Sequence, residues 1–199
     1  MKISREKLLD FYNNKKYSAK TIAAIYKCSE SNINYWLHKY RIKKRSVSEA
    51  IYVKKNPTGD PFLFKKPKNL KEATLFGLGL GLYWGEGNKK NKYGIRVGNV
   101  DPHLILKFME FLEKIYGVKR KKFRFGLQVF SDMNSHKALT FWHRYLKVPR
   151  GQFQKVIITK ERGIGTYKNK TKHGVLTVQV YNKKLRDIIV NKIENLRKL

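Results

Sequence analysis

Apolar and small residues run almost unbroken from Leu75 to Gly87, as Leu-Phe-Gly-Leu-Gly-Leu-Gly-Leu-Tyr-Trp-Gly-Glu-Gly. Glycines recur at Gly77, Gly81 and Gly85, and the run closes on one acid, Glu86. Glycine costs a helix about 1 kcal/mol per position against alanine. A helix that accepts it at i, i+4 spacing brings another backbone close. The pattern therefore predicts a tightly packed helix that delivers one carboxylate. That acid faces the negative end of the helix dipole and so calls for a cation.

After the run, periods of two and of 3.6 alternate. Residues 93–100 read as a strand, with Ile95 and Val97 facing one way and Arg96 the other. Asp101-Pro102 opens a helix through Leu104, Leu106, Phe108, Phe111, Leu112 and Tyr116, which Gly117 ends. Residues 123–130 alternate cleanly, with Phe123, Phe125, Leu127 and Val129 inward and Arg124, Gly126 and Gln128 outward. A helix over 134–145 follows, with Asp132 as its capping acid. Two more strands, 152–160 and 174–181, flank a Gly-, Lys- and Arg-rich loop at 161–173, and a helix over 185–196 closes the chain.

The first fifty residues hold only helical spacing. Leu8, Leu9, Phe11 and Tyr12 suit a short helix after Ser4. Ser18 caps a second helix with Ile22, Ala23 and Tyr26 inside, and Ser29 or Ser31 opens a third through Ile33, Trp36 and Leu37. Four prolines and glycines (Pro57, Gly59, Pro61, Pro67) then mark a basic linker. The expected organisation is a helical module at 1–50, a linker at 51–70 and an α+β domain at 71–199.

Lys+Arg 45 against Asp+Glu 14 gives a formal charge of +31. Such an excess favours phosphate backbones through counterion release and steering. Cys28 is the only cysteine, so an intrachain disulfide and a thiolate zinc site are excluded. The glycine run lacks the third glycine of a dinucleotide fingerprint, and no P-loop occurs, so no small-molecule cofactor is expected. With no apolar signal core and no eighteen-residue apolar span, an intracellular protein is expected, cytoplasmic or nucleoid-associated, without a membrane partner.

The N-terminal spacing resembles a helix-turn-helix, a module whose second helix enters the major groove of double-stranded DNA. Ser31, Asn32, Asn34 and Tyr35 would form its reading surface, and Arg41, Lys43, Lys44 and Arg45 a phosphate-contacting run. A three-helix protein-binding module with a basic tail shares this pattern, and the charge favours DNA. Downstream, Arg96, Arg124, Gln128, Thr177 and Gln179 share one sheet face with no outward acid, a second surface suited to DNA.

Residues 79–87 resemble the signature of the LAGLIDADG homing endonucleases. The match rests on Gly81, Leu82, Gly85, Glu86 and Gly87. Gly79 stands where leucine is usual, Trp84 where an acid is usual, and Glu86 is the less common choice of acid. The order of helices and strands after Gly87 is similar to that family's domain, which implies a curved, mainly antiparallel sheet. The resemblance implies a helix seam through Gly77, Gly81 and Gly85, with Glu86 as the ligand of a divalent metal. One signature helix per chain implies a homodimer that sets two Glu86 carboxylates together. Hard oxygen ligands suit Mg2+, or Mn2+. The expected reaction is metal-dependent hydrolysis of DNA phosphodiesters, with Gln128 and Lys155 as candidates for organising solvent. His136, His143 and His173 form no metal-ligand spacing. A non-cleaving DNA-binding regulator and an RNA-binding maturase are the alternatives.

Overall fold

A computed structural model describes residues 3–161 and 171–198 of the chain. Most of the basic loop at 161–173, residues 162–170, lies outside the described residues. The chain divides into two compact units, Met1–Pro61 and Phe62–Leu199.

In the first unit, α1 (Arg5–Leu9) runs into one π-helical turn (Asp10–Asn14) and is followed by α2 (Ala19–Ile25), α3 (Glu30–Lys39) and α4 (Val47–Lys55). Ser4, Ser18 and Ser29 cap the first three helices, each accepting a backbone N–H with its hydroxyl. Ile3, Leu8, Tyr12, Ile22, Ile33, Trp36, Leu37 and Ile42 make one small core. The turn between α2 and α3 is closed by Cys28 N to Ala23 O (3.0 Å) and Lys27 N to Ala24 O (3.2 Å). This is the paired bonding of a Schellman turn. Its left-handed residue is Lys27, at φ 50°, so the position that favours glycine is Lys27 and not Cys28.

The linker begins later than the sequence suggests. Ser46 and Glu49 form a reciprocal capping box that starts α4, which crosses the expected boundary at position 50. None of its residues is buried. At the far end, Phe62–Lys65 is not linker but part of the second unit. Leu63 N donates to Tyr116 O (2.9 Å), Lys65 N donates to Ile115 O (2.7 Å), and Phe62 joins the core.

The second unit is α+β. Its elements are α5 (Leu70–Glu86), β1 (Ile95–Asn99), α6 (Pro102–Tyr116), β2 (Arg124–Phe130), α7 (Ser135–Tyr145), β3 (Ile157–Thr159), β4 (Val175–Val180) and α8 (Lys183–Leu196). The sheet order is β1-β4-β2-β3. Both pairings of β4 are antiparallel, and β2 with β3 is parallel, so the sheet is mixed. The inward residues Ile95, Val97, Phe125, Leu127, Val129, Leu176, Val178 and Val180 join one core with α5, α6, α7 and α8. Asn134, not Asp132, caps α7, accepting from Lys137 N at 2.8 Å. Asn69, Asp101 and Asn182 cap α5, α6 and α8 in the same way.

The two sides of α5 differ sharply. Gly79 packs its backbone on α6, and a Cβ built there would fall inside the Phe111 ring. Leu80 and Tyr83 are buried beside it, with Tyr83 stacked on Phe108 at 6.1 Å. Around the helix, a Cβ at Gly77, Gly81 or Gly85 would meet nothing within 4 Å. Substitution by alanine is therefore expected to act with opposite signs at the two kinds of glycine. Gly79→Ala should lower stability by about 1–3 kcal/mol through overpacking. Gly81→Ala should raise that of a single chain by about 0.5–1 kcal/mol through helix propensity. Urea midpoints at high dilution check both.

Candidate nucleic-acid interface

Three surfaces carry the residues singled out by the sequence. The first is α3. Ser31 and Tyr35 are exposed, and Asn32 and Asn34 half-buried, on the side away from Ile33, Trp36 and Leu37. Lys39 lies over the rings of Tyr35 (5.6 Å) and Trp36 (5.0 Å) and donates to the Tyr35 hydroxyl at 3.4 Å. This joins a cation to the reading surface. Arg41, Lys43 and Lys44 are exposed, with no side-chain hydrogen bond or ion pair among the described residues. They remain available to phosphates.

Arg45 does not. Its guanidinium lies over the Tyr12 ring at 4.1 Å. Nη1 donates to Lys16 O (3.0 Å), and Nη2 donates to Tyr12 O (3.1 Å) and to Tyr17 O. The π-turn and the bend after it leave these carbonyls without helical donors, and Arg45 supplies them. Its work is inside the unit, a correction to its expected role at phosphate.

The second surface is the polar face of the sheet. The register aligns Arg96, Gln179 and Arg124 across three strands, with Gly98, Thr177 and Gly126 in the next row. Gln128 is exposed one step further along β2. The five predicted residues thus share one face. Their availability differs. Gln179 is only 4% exposed. Arg124 Nη1 donates to the carbonyls of Lys121 (2.9 Å) and Phe123 (2.8 Å), and Arg96 is half-buried with its Nε unpartnered among the described residues. Gln154 and Tyr181 belong to the same face. Alternation along β4 extends from Thr177 and Gln179 to Tyr181, a signal present in the sequence. Gln154 gave none, because one extra residue before β3 displaces the register.

The third is the C-terminal end of α5. Glu86 is exposed and has no hydrogen bond or ion pair among the described residues. A cation does meet this helix end, but at the backbone: Lys89 Nζ donates to Trp84 O. Arg186 holds the following turn, with Nη2 donating to Lys89 O at 2.9 Å and Nη1 to Asp187 at 2.9 Å. Burial raises the pKa of the nearby Tyr83 phenol, against the opposing charge of Arg186. Gly87 pairs with Val97 on the outer edge of β1. With strands about 4.8 Å apart, Gln128 on β2 lies about 14 Å from that edge position, and Lys155, beside β3, about 19 Å. The strand order does not bring Gln128 or Lys155 to the Glu86 of the same chain.

Among the described residues, no group of three or more His, Cys, Asp and Glu could hold a metal ion. No helix among them is long and apolar enough to cross a membrane. No protein-family model matches the chain, nor does any curated protein or solved structure.

Replacing Arg45 should be costly where replacing its neighbours is not. Arg45→Ala leaves three carbonyls short of a donor and should destabilise the first unit by about 1–3 kcal/mol. Lys44→Ala should stay within about 0.5 kcal/mol of the parent, as exposed sites usually do. Amide hydrogen exchange at the buried positions of α2 and α3 separates the two.

Proposed function

We propose that the chain is a site-specific double-stranded DNA endonuclease of the LAGLIDADG type that acts as a homodimer. The observation that carries this reading is α5: a helix with an open glycine face that ends in an exposed carboxylate with no partner among the described residues. A monomeric protein gains nothing from glycines at Gly77, Gly81 and Gly85, where any side chain would fit. Leu78 (43%) and Trp84 (40%) on the same helix stay exposed, and leave apolar area for a second copy to cover.

Glu86 offers hard oxygen donors to solvent. Mg2+ is usually held by one or two carboxylates together with substrate phosphates and water. One Glu86 from each of two copies fits that habit. When bound, Mg2+ or Mn2+ would supply water activation and charge neutralisation at the leaving oxygen. The chain's own contribution is position: α5 fixes the carboxylate, while α3 and the sheet face hold the duplex.

A non-cleaving DNA-binding regulator is the second reading. The strand order favours it, since Gln128 and Lys155 stand far from Glu86. So does the helix wheel, on which Glu86 lies about 100° around the axis from Gly85 and off the seam face.

Duplexes selected from a randomised pool, then incubated with Mg2+ or with EDTA, test the reading. The expected result is double-strand cutting that EDTA abolishes and that Glu86→Gln lowers by at least ~100-fold, as for loss of a metal ligand. Specific binding with no cutting in Mg2+ or Mn2+ would establish the regulator. Gly81→Leu, harmless to a single chain's packing, should shift the sedimenting species from dimer to monomer. A parent that sediments as a monomer with duplex bound would sink the homodimer.

A further inference from the structure

The polar sheet face holds one side chain whose burial is at odds with its place. Gln179 lies mid-face between Arg96 and Arg124, yet it is 4% exposed. Two neighbours cover it. Phe153 pairs with Phe125, whereas Ile157 pairs with Gln128, so the chain beside β2 carries one residue more than β2 does over that span. Such a bulge re-aims side chains. Gln154 N is held by Phe125 O at 2.8 Å, and its amide reaches over Gly126 to Gln179. A Cβ at Gly126 would stand 3.3 Å from Gln179 Nε2 and 3.6 Å from Gln154 Oε1, so glycine there keeps the path open.

The third member is Tyr181, 54% exposed. Gln154 Nε2 donates to the Tyr181 hydroxyl (3.0 Å), the hydroxyl donates to Gln179 Oε1 (2.7 Å), and Gln179 Nε2 donates to Gln154 Oε1 (3.5 Å). The three bonds close a ring that runs in one sense, so the two amides and the hydroxyl hold one another in place. Gln154 is exposed and keeps one N–H and one carbonyl lone pair for an outside partner. A free surface glutamine loses about 1.5–2 kcal/mol of rotamer entropy when it is immobilised. Gln154 is already held.

What would such a group recognise? Phosphate oxygens only accept, so they would leave the amide carbonyl idle. A base edge presents donors and acceptors together. We propose that Gln154 reads a base edge in duplex DNA, and that Gln179 and Tyr181 are the residues that position it. This rests on the sheet face being a duplex-binding surface. It also moves Gln179 from a direct contact to a supporting one.

The test is base preference at each position of a randomised duplex, measured on the full chain in EDTA with the salt dependence of affinity for the unselected pool. Gln154→Ala should cost about tenfold in discrimination at one position per half-site, within the range of a good base contact. Tyr181→Phe, which removes only the hydroxyl, should weaken preference at that same position, with pool affinity and salt slope unchanged. Gln154→Glu keeps the length and loses the donor, and should move the preference toward cytosine, whose amino group a carboxylate accepts. A parental preference profile in all three variants would overturn the inference while the duplex-binding reading stands. An unchanged profile with affinity lowered alike for every sequence would make Gln154 a phosphate contact, and would overturn it too. A parent chain that does not bind duplexes would instead remove the reading beneath it.

Discussion

The contact between the Gly79 backbone and the Phe111 ring sets the layout of the second unit. A side chain of any size at that position would push α5 off α6. With it absent, Leu80 and Tyr83 reach the core, and the chain leaving α5 pairs at Gly87 with Val97 on the edge of β1. The end of the helix is thereby fixed relative to the sheet. The side of α5 that carries Gly77, Gly81 and Gly85 is left bare, and Glu86 is left without a partner among the described residues. One close approach thus separates the part of α5 that builds the fold from the part that faces outward.

The cations divide along the same line. Arg45 supplies backbone carbonyls, Arg120 grips Glu113 with two donors and Leu146 O with a third, and Arg150 bonds Thr140 at 2.8 Å. These guanidiniums act as internal fasteners, suited to it by their planar set of donors. The lysines are mostly exposed and point charges. A net charge of +31 therefore overstates the number of groups free to meet phosphate, and the free ones are chiefly lysines and the Arg41 region.

Much of this was legible because it is local. The period of two in β2 and the Asp101-Pro102 opening and Gly117 ending of α6 each depend on a few adjacent residues, whereas the close approach of α5 falls at Gly79, outside the spacing of Gly77, Gly81 and Gly85. The Ser46-to-Glu49 box was equally local, but prolines and glycines further on drew the linker boundary too early. Three features were out of reach. Phe62–Lys65 docks against residues some fifty positions away, the parallel pairing of β2 with β3 is set by packing, and a one-residue bulge decides which way Gln154 points. Arg45 was misassigned because a basic run does not reveal which member folds back.

The helix caps have a further consequence. Each of the eight α-helices among the described residues starts on a side chain that accepts a backbone N–H, and only Asp101 among those eight carries a charge. Serine hydroxyls and asparagine amides do not titrate in water, so mild acid spares these seven acceptors, although the Glu49 and Glu72 carboxylates also accept backbone N–H groups at the starts of α4 and α5. Neutral caps leave the positive ends of α2, α7 and α8 uncancelled, whereas Glu6, Glu30, Glu49 and Glu72 sit in the first turns of α1, α3, α4 and α5. In a chain so poor in acids, most helix starts thus keep their capping acceptors as the pH falls. Acidification would strain this protein chiefly through the mutual repulsion of its cations, and among the helix starts chiefly at α4, α5 and α6, where Glu49, Glu72 and Asp101 accept backbone N–H groups.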